Sequence, residues 1–255
     1  MNAVLVLFLC SKFGLSDESS AIIYSLFYCG IYVLSLIGGI IADKTQNYKG
    51  TIMAGLIVMS LGYIILSVPV LSTENNIGWL LPLTCVALFL IAFGNGLFKG
   101  NLQAIVGQMY DNLEEDAVKD GPEAVKLAKS RRDSGFQIFY VLIAPFVAPL
   151  LREWWLKAHQ LAYNADLPAL CHQYIKEGAS MASENMANLT ELVTKVGGTV
   201  SDDLTPFCTQ YLDVFNTGIH YSFIASVVAM GISLMIFMIN KKIFPTPGKK
   251  EKVES

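Results

Sequence analysis

The chain has 255 residues, of which 53% are hydrophobic and only 15% are charged. A typical soluble domain carries about 25% charged residues, so the composition excludes an ordinary soluble domain and indicates an integral membrane protein. The formal net charge of −3 argues against a nucleic-acid partner.

The chain begins with a short apolar segment at positions 3–9. Lys12 and the polar run Ser16-Asp17-Glu18 end it after about ten residues, which is half a bilayer crossing. A signal peptide is disfavoured, because the segment lacks a basic start and a small-residue cleavage site. We interpret it as the second half of a first transmembrane helix whose first half precedes Met1.

Five longer apolar stretches follow, and each is long enough, or nearly so, to span a membrane as a helix. They lie at 21–42, 52–71, 79–106, 136–151 and 221–239. The sequence therefore predicts an all-α membrane protein with six helices. The polar segment 111–133 is expected to form a short surface helix, which the Gly121-Pro122 pair interrupts.

The second predicted helix carries Tyr24, Tyr28 and Tyr32 at a spacing of four residues, which places the three phenols on one helix face. The stripe has two readings. It either packs inside a helix bundle, or it lines a substrate path and supplies hydrogen bonds without charge. The same helix ends in Gly38-Gly39 and, four residues later, Asp43.

The fourth predicted helix contains Lys99 within a run, 79–106, that has no other acidic or basic residue. A charge at bilayer depth costs about 2.5–3.5 kcal/mol on insertion scales, so it persists with a partner, a water-filled cavity or a function. The alternative is a lysine that extends along its stem to the headgroups. Its neighbours Asn95, Gly96, Gly100 and Asn101 are small or polar rather than lipid-facing, which favours a protein- or cavity-facing role.

The segment 157–218 contains a weak internal repeat. Asp166-Leu167 and Asp203-Leu204 each precede a Cys-x-Gln-Tyr sequence, in which the cysteines are Cys171 and Cys208. Apolar residues between the copies recur at helical spacing, so we expect a small helical cap of two or three amphipathic segments. The equivalent positions of the two cysteines predict a disulfide between them, although two separate buried thiols remain possible.

Lysine and arginine residues set the predicted orientation. They concentrate after the second, fourth and sixth helices, whereas the loop at 72–78 has none. The loops 43–50 and 111–133 and the tail from Lys241 are therefore expected in the cytoplasm. The insert 157–218 is expected on the outer face of the cell (inner) membrane, where a disulfide would persist.

The motifs of the helices resemble a known family. The Gly-Gly-x-x-Ala-Asp sequence that ends at Asp43 resembles the loop between the second and third helices of major facilitator transporters. The run GNGLFKGN at 94–101 and the run RDSGFQIFY at 132–140 resemble the fourth and fifth helices of the proton-dependent oligopeptide transporter (POT) family. The opening segment resembles the end of that family's first helix.

This resemblance implies the six-helix N-terminal half of a transporter that moves di- and tripeptides inward with protons. Lys99 would be the proton-coupling and substrate-facing lysine that partners a Glu-x-x-Glu-Arg motif of the first helix. Tyr32, with Tyr28, would face the substrate, and Asp43 with Gly38 and Gly39 would form the gating motif. Gly94, Gly96 and Gly100 would permit close helix packing.

Two features depart from the family pattern. The Glu-x-x-Glu-Arg segment would precede Met1, so the chain is expected to lack the acidic partners of Lys99. Where the family has an Asn-x-Gly step in the fifth helix, this sequence has Ala144-Pro145, so no fifth-helix asparagine is assigned. The predicted fifth span is correspondingly short.

The sequence thus predicts one half of a peptide:proton symporter, incompetent for transport without a second six-helix half. The expected organisation is transmembrane helices at 1–156, the external insert at 157–218, the sixth helix at 219–242 and a cytoplasmic linker at 243–255. A major facilitator transporter for another solute, or a fragment that acts only as a membrane interaction protein, are the alternatives. No enzyme, cofactor or metal site is expected, because the three histidines lack metal-ligand spacing and no nucleophile–base pair is visible.

Overall fold

The computed structural model describes residues 2–73, 75–140 and 144–245, and the described part contains helices and no strand. The nine α-helices are α1 (Asn2–Phe13), α2 (Asp17–Thr45), α3 (Tyr48–Ser67), α4 (Ile77–Ala117), α5 (Pro122–Tyr140), α6 (Ala144–Ala158), α7 (Leu167–Glu177), α8 (Ser183–Lys195) and α9 (Thr205–Asn240). Short 3₁₀ turns follow α4 and α7.

Four of these helical segments are long and apolar enough to cross a membrane, namely α2, α3, the segment Ile77–Asp120 and α9. They coincide with four of the predicted spans, and the prediction of an all-α membrane protein is confirmed. The fifth predicted span, 136–151, includes residues 141–143, which lie outside the described residues, as do the side chains of the 132–140 motif.

The fourth helix is longer than predicted. It continues for eleven residues beyond position 106, to Ala117, because its next residues include strong helix formers such as Met109, Leu113 and Glu114. The predicted short surface helix at 111–133 is therefore the end of α4, a 3₁₀ turn and the start of α5. The interruption lies where expected, at Gly121, whose φ of 102° favours glycine.

The chain divides into two compact units, and α2, α3, α4 and α9 contribute residues to both. Unit 1 consists of Met1–Tyr28, Tyr63–Leu88 and Ala144–Val227. Unit 2 consists of Cys29–Gly62, Phe89–Ile143 and Val228–Ser255. The predicted insert lies within unit 1, and Lys99 lies within unit 2.

In unit 1, the two copies of the repeat pair reciprocally. The Tyr174 hydroxyl accepts a hydrogen bond from the Leu204 N–H at 3.2 Å, and the Tyr211 hydroxyl accepts one from the Asn164 N–H at 3.1 Å. Each tyrosine thus binds the backbone at or just before the start of the other copy. The second copy begins α9, so the third segment of the expected cap continues without a break into the last span.

In unit 2, α4 packs at backbone distance against two helices. A Cβ on Gly96 would lie 2.6 Å from the Leu34 carbonyl oxygen of α2, and one on Gly94 would lie 2.6 Å from the Gly55 oxygen of α3. Real Cβ atoms do not approach this closely, so these positions require glycine. Asn101 adds a hydrogen bond from its side-chain nitrogen to the Gly38 oxygen at 3.1 Å.

The two adjacent glycines of α2 provide a matched test of this packing. A Cβ on Gly38 would lie 2.5 Å from the Gly96 oxygen, whereas one on Gly39 meets nothing within 4 Å. We expect Gly38→Ala to destabilise the protein by about 1–3 kcal/mol, as overpacking does. Gly39→Ala should be neutral or slightly stabilising, because alanine is the better helix former.

Thermal unfolding of both purified variants in detergent measures the difference. Both substitutions make the same change in helix propensity, so their difference isolates the contact. Equal unfolding temperatures for the two variants would contradict the close approach of α2 and α4.

Candidate functional site

Lys99 lies on α4 in unit 2 and is half-buried. One helical turn before it, the Asn95 side-chain oxygen is buried and has no hydrogen-bond partner among the described residues. A buried acceptor left without a partner costs about 1–3 kcal/mol. Lys99 and Asn95 therefore place a cation and an unpaired acceptor on neighbouring turns of the same helix face.

Tyr32 lies on α2 in the same unit and is 58% exposed. Its position is close to the helix crossing, because Leu34, which contacts Gly96, is two residues further along α2. Lys99 is three residues beyond Gly96 on α4. The crossing of α2 and α4 thus brings the helix segments that carry Tyr32 and Lys99 together.

The predicted tyrosine stripe is divided between the two units. Tyr24 and Tyr28 belong to unit 1 and stack on each other with their ring centroids 5.7 Å apart. Tyr28 is 45% exposed, so its ring both stacks and presents an accessible face. The stacking of Tyr24 on Tyr28 is a packing contact, whereas a substrate path along the stripe stays a prediction.

The remaining motif residues of unit 2 differ in their surroundings. A Cβ on Gly100 would make an ordinary contact, 3.9 Å from Ser35. A Cβ on Gly39 would meet nothing within 4 Å. The exposed Asp43 carboxylate accepts a hydrogen bond from the Tyr48 hydroxyl at the start of α3. The Gln46 side chain also donates to the Asp43 backbone oxygen at 2.6 Å, and these bonds hold the tight turn between α2 and α3.

Cys171 and Cys208 meet inside unit 1. Both side chains are fully buried and are free thiols in this structure. Their mutual hydrogen bond and their burial raise the pKa of the Cys171 thiol well above its usual range. The other cysteines lie elsewhere, and Cys10 bonds Ser20 at 3.2 Å.

Several polar residues with marked environments were not assigned a role from the sequence. Asn95 and Asn101 appeared there only as polar neighbours of Lys99. Lys12 and His220 form a buried pair in unit 1, at 2.8 Å between Nζ and Nε2. They are 208 positions apart, and no local pattern in the sequence links them.

The fold and these positions define a class, an all-α membrane protein consistent with half of a major facilitator transporter. Comparison with known proteins shows which family the chain resembles. The POT family model matches residues 49–171. The resemblance that the motifs suggested is confirmed, and the chain is a relative of POT-family transporters.

Individual relatives extend the match over nearly the whole chain. Dipeptide and tripeptide permease A of Cronobacter turicensis is 26% identical over 97% of this chain and 46% of its own length. Dipeptide and tripeptide permease B of Photorhabdus asymbiotica is 25% identical over 99% of this chain and 47% of its own length. A peptide transporter of Yersinia enterocolitica is 30% identical over 62% of this chain and 28% of its own length.

Nearly the whole chain thus matches these two permeases, but it spans only about half of their length. No solved structure matches it. The matched names describe peptide transporters and permeases rather than enzymes, in agreement with the expectation from the sequence.

The contact between Cys171 and Cys208 keeps the predicted disulfide open to a direct test. We predict that an oxidant such as a small disulfide removes two electrons and two protons from these thiols and leaves one S–S bond between them. Because the cysteines are 37 positions apart, closing the loop should stabilise unit 1 by about 3–4 kcal/mol in the chain-entropy model.

Peptide mass spectrometry of the alkylated, non-reduced full chain measures the linkage, and unfolding with and without reductant measures the stabilisation. The bond should form unchanged when Cys10, Cys29 and Cys85 are all replaced by alanine. Complete alkylation of Cys171 and Cys208 after oxidation would show that no bond forms.

Proposed function

We propose that the chain forms the N-terminal half of a proton-coupled symporter for di- and tripeptides. The observation that carries this proposal is the crossing of α2 and α4, where Lys99 and Tyr32 lie near one backbone contact. The names of the relatives support peptides as substrates. The motifs that surround Lys99 support proton coupling.

Lys99 has two roles in this proposal. Its ammonium binds a carboxylate, either that of the peptide or those of a Glu-x-x-Glu-Arg motif on the first helix. Desolvation favours a neutral amine and an adjacent carboxylate favours an ammonium, so such a pair exchanges a proton when its surroundings change. Lys99 therefore couples proton binding to the opening and closing of the cavity.

Asn95 and Tyr32 supply uncharged hydrogen bonds in the same region. The unpaired Asn95 oxygen is an acceptor suited to an amide N–H or an α-ammonium of a peptide. The Tyr32 hydroxyl both donates and accepts. A cation, an acceptor and a hydroxyl together match the carboxylate, amide and ammonium groups that all short peptides share.

Transport requires a second wall for this cavity. In the major facilitator fold, substrate lies near the bilayer midplane between two halves that rock against each other. We propose that this chain supplies one wall, and that transport occurs only with a second six-helix half. The bilayer, protons and that second half are therefore its partners.

Two other functions would use the same fold. A transporter for another solute would retain the glycine contacts but would not need a peptide-binding set around Lys99. A membrane interaction protein would need the helices but none of the polar residues. Competition by dipeptides, free amino acids and sugars in an uptake assay separates these possibilities.

The first test concerns Lys99. In the chain assembled with a second half, Lys99→Ala should lower pH-driven dipeptide uptake at least tenfold, while exchange of labelled for unlabelled peptide persists. The reason is that exchange needs substrate binding but no net proton movement. Lys119→Ala is the control, because Lys119 is exposed in the 3₁₀ turn after α4 and forms a surface ion pair with Asp116. Undiminished pH-driven accumulation in Lys99→Ala would remove Lys99 from the coupling mechanism.

The second test concerns Tyr32. Loss of one hydrogen bond costs about 0.5–1.5 kcal/mol, so Tyr32→Phe should weaken peptide affinity about two- to twelvefold with little change in expression. Competition binding measures the affinity, and detergent-extracted protein measures the expression. A parallel fall in both quantities would indicate that the hydroxyl serves the fold rather than the substrate.

A further inference from the structure

Unit 1 contains a buried cation that the proposed transport function does not use. Lys12 on α1 is 4% exposed, and its Nζ lies 2.8 Å from Nε2 of His220 on α9, which is 2% exposed. The rings of Phe8 and Phe13 lie 5.5 and 6.0 Å from the ammonium. Among the described residues, no carboxylate pairs with Lys12.

The hydrogen-bond geometry fixes which nitrogen of His220 carries the proton. Nδ1 of His220 contacts the backbone oxygen of Leu66, which can only accept. This carbonyl is in the last turn of α3, where helix carbonyls lack intrahelical partners. Nδ1 is therefore the donor, and the lone pair of Nε2 accepts a hydrogen bond from the Lys12 ammonium.

Within the described part of the chain, other polar contacts reach α1 from its neighbours but do not touch the Lys12 ammonium. His172 on α7 bonds the Ser11 backbone oxygen at 2.8 Å, and Asp17 of α2 bonds the Cys10 thiol at 3.4 Å. Asn216 on α9 donates to the same Ser11 oxygen at 2.9 Å. Lys12 is thus the charged group that acts directly on His220.

We propose that Lys12 and His220 form a proton-sensitive latch between α1 and α9. In the closed arrangement the pair holds one positive charge, because neutral His220 accepts from the Lys12 ammonium. A second proton would occupy the accepting lone pair of Nε2 and place two cations 2.8 Å apart, with no carboxylate among the described residues to offset them. The second proton therefore separates the two helices at this point.

The direction of the pH dependence follows from proton counting. A histidine in water takes up its second proton near pH 6.5, so the open arrangement binds one more proton than the closed one below that pH. One additional proton changes the equilibrium about tenfold per pH unit. The latch is closed above pH 6.5 and opens progressively in acid.

Hydrogen exchange of the full chain in nanodiscs measures the opening. After correction for intrinsic exchange, the amides of residues 9–15 and those around His220 should lose protection about tenfold per pH unit between pH 6 and 5. His220→Gln keeps an acceptor for Lys12 but cannot take up a proton, so its protection should stay within twofold over this range. The measurement needs no transport, and its outcome is separate from the proposed symport.

His172 is the other histidine that could cause a pH dependence of protection in α1. It contacts the same turn of α1, and burial lowers its pKa. The pH dependence of protection should persist in His172→Gln. It should also persist in His159→Gln, because His159 is exposed. A slope that persists in His220→Gln and vanishes in His172→Gln would overturn the proposal, as would equal protection of the wild type at pH 6 and 5.

Nuclear magnetic resonance of ¹⁵N-labelled histidine gives an independent test that needs no His220 variant. His159→Gln and His172→Gln remove the other two imidazoles and leave the signals of His220. At pH 7.5 we expect a protonated Nδ1 and an unprotonated Nε2. A proton on Nε2 at pH 7.5 would exclude the hydrogen bond from Lys12 and thereby the latch.

Discussion

The contact of α4 with α2 and α3 is the constraint on which the rest of unit 2 depends. Gly94 and Gly96 are two positions apart, so they point to nearly opposite sides of α4. One faces Gly55 and Met59 of α3, and the other faces Leu34 of α2. Apolar surface gains little by burial between helices in lipid, and small residues that let backbones approach are the usual basis of association.

The contacts of Gly94 and Gly96 with α3 and α2 determine where Lys99 lies. Lys99 is three residues beyond Gly96, about 60° from the direction in which Gly96 faces α2. Asn101 then ties the two helices, because its side-chain nitrogen donates a hydrogen bond to the Gly38 oxygen of α2 and another to the Leu97 oxygen within α4. Because the backbones touch, little rotation of α4 is possible without a clash, and the cation stays beside α2. The polar residues of unit 2 depend on glycines for their placement.

Much of this arrangement could be predicted from local sequence. Long apolar runs predicted four helices long and apolar enough to span a membrane, which the structure contains, and the family resemblance implied close helix packing near Lys99. Gly121-Pro122 located a helix break, and the internal repeat indicated that Cys171 and Cys208 occupy equivalent places. The motif order indicated a resemblance to the POT family, which the comparisons confirm.

The remaining features depend on tertiary contacts that a local pattern does not contain. Gly38 and Gly39 are equivalent in the sequence, yet only Gly38 touches α4. The second copy of the repeat could equally have formed a separate helix, but it is continuous with α9, and the predicted boundary at 218 lies inside that helix. Lys12 and His220 are 208 positions apart, so no local pattern in the sequence could reveal their pairing.

The crossing of α2 and α4 can be measured by oxidative cross-linking. Gly100 and Ser35 lie close enough for cysteines at both positions to join, with 3.9 Å from the Gly100 Cβ position to the Ser35 hydroxyl oxygen. The variant carries Ser35→Cys and Gly100→Cys with Cys29 and Cys85 replaced by alanine, and a protease site between α3 and α4 lets the fragments separate. The account predicts that the cleaved fragments stay joined after oxidation, whereas a control with Gly39→Cys in place of Ser35→Cys does not. Fragments that separate in both variants would contradict the crossing on which the proposed site depends.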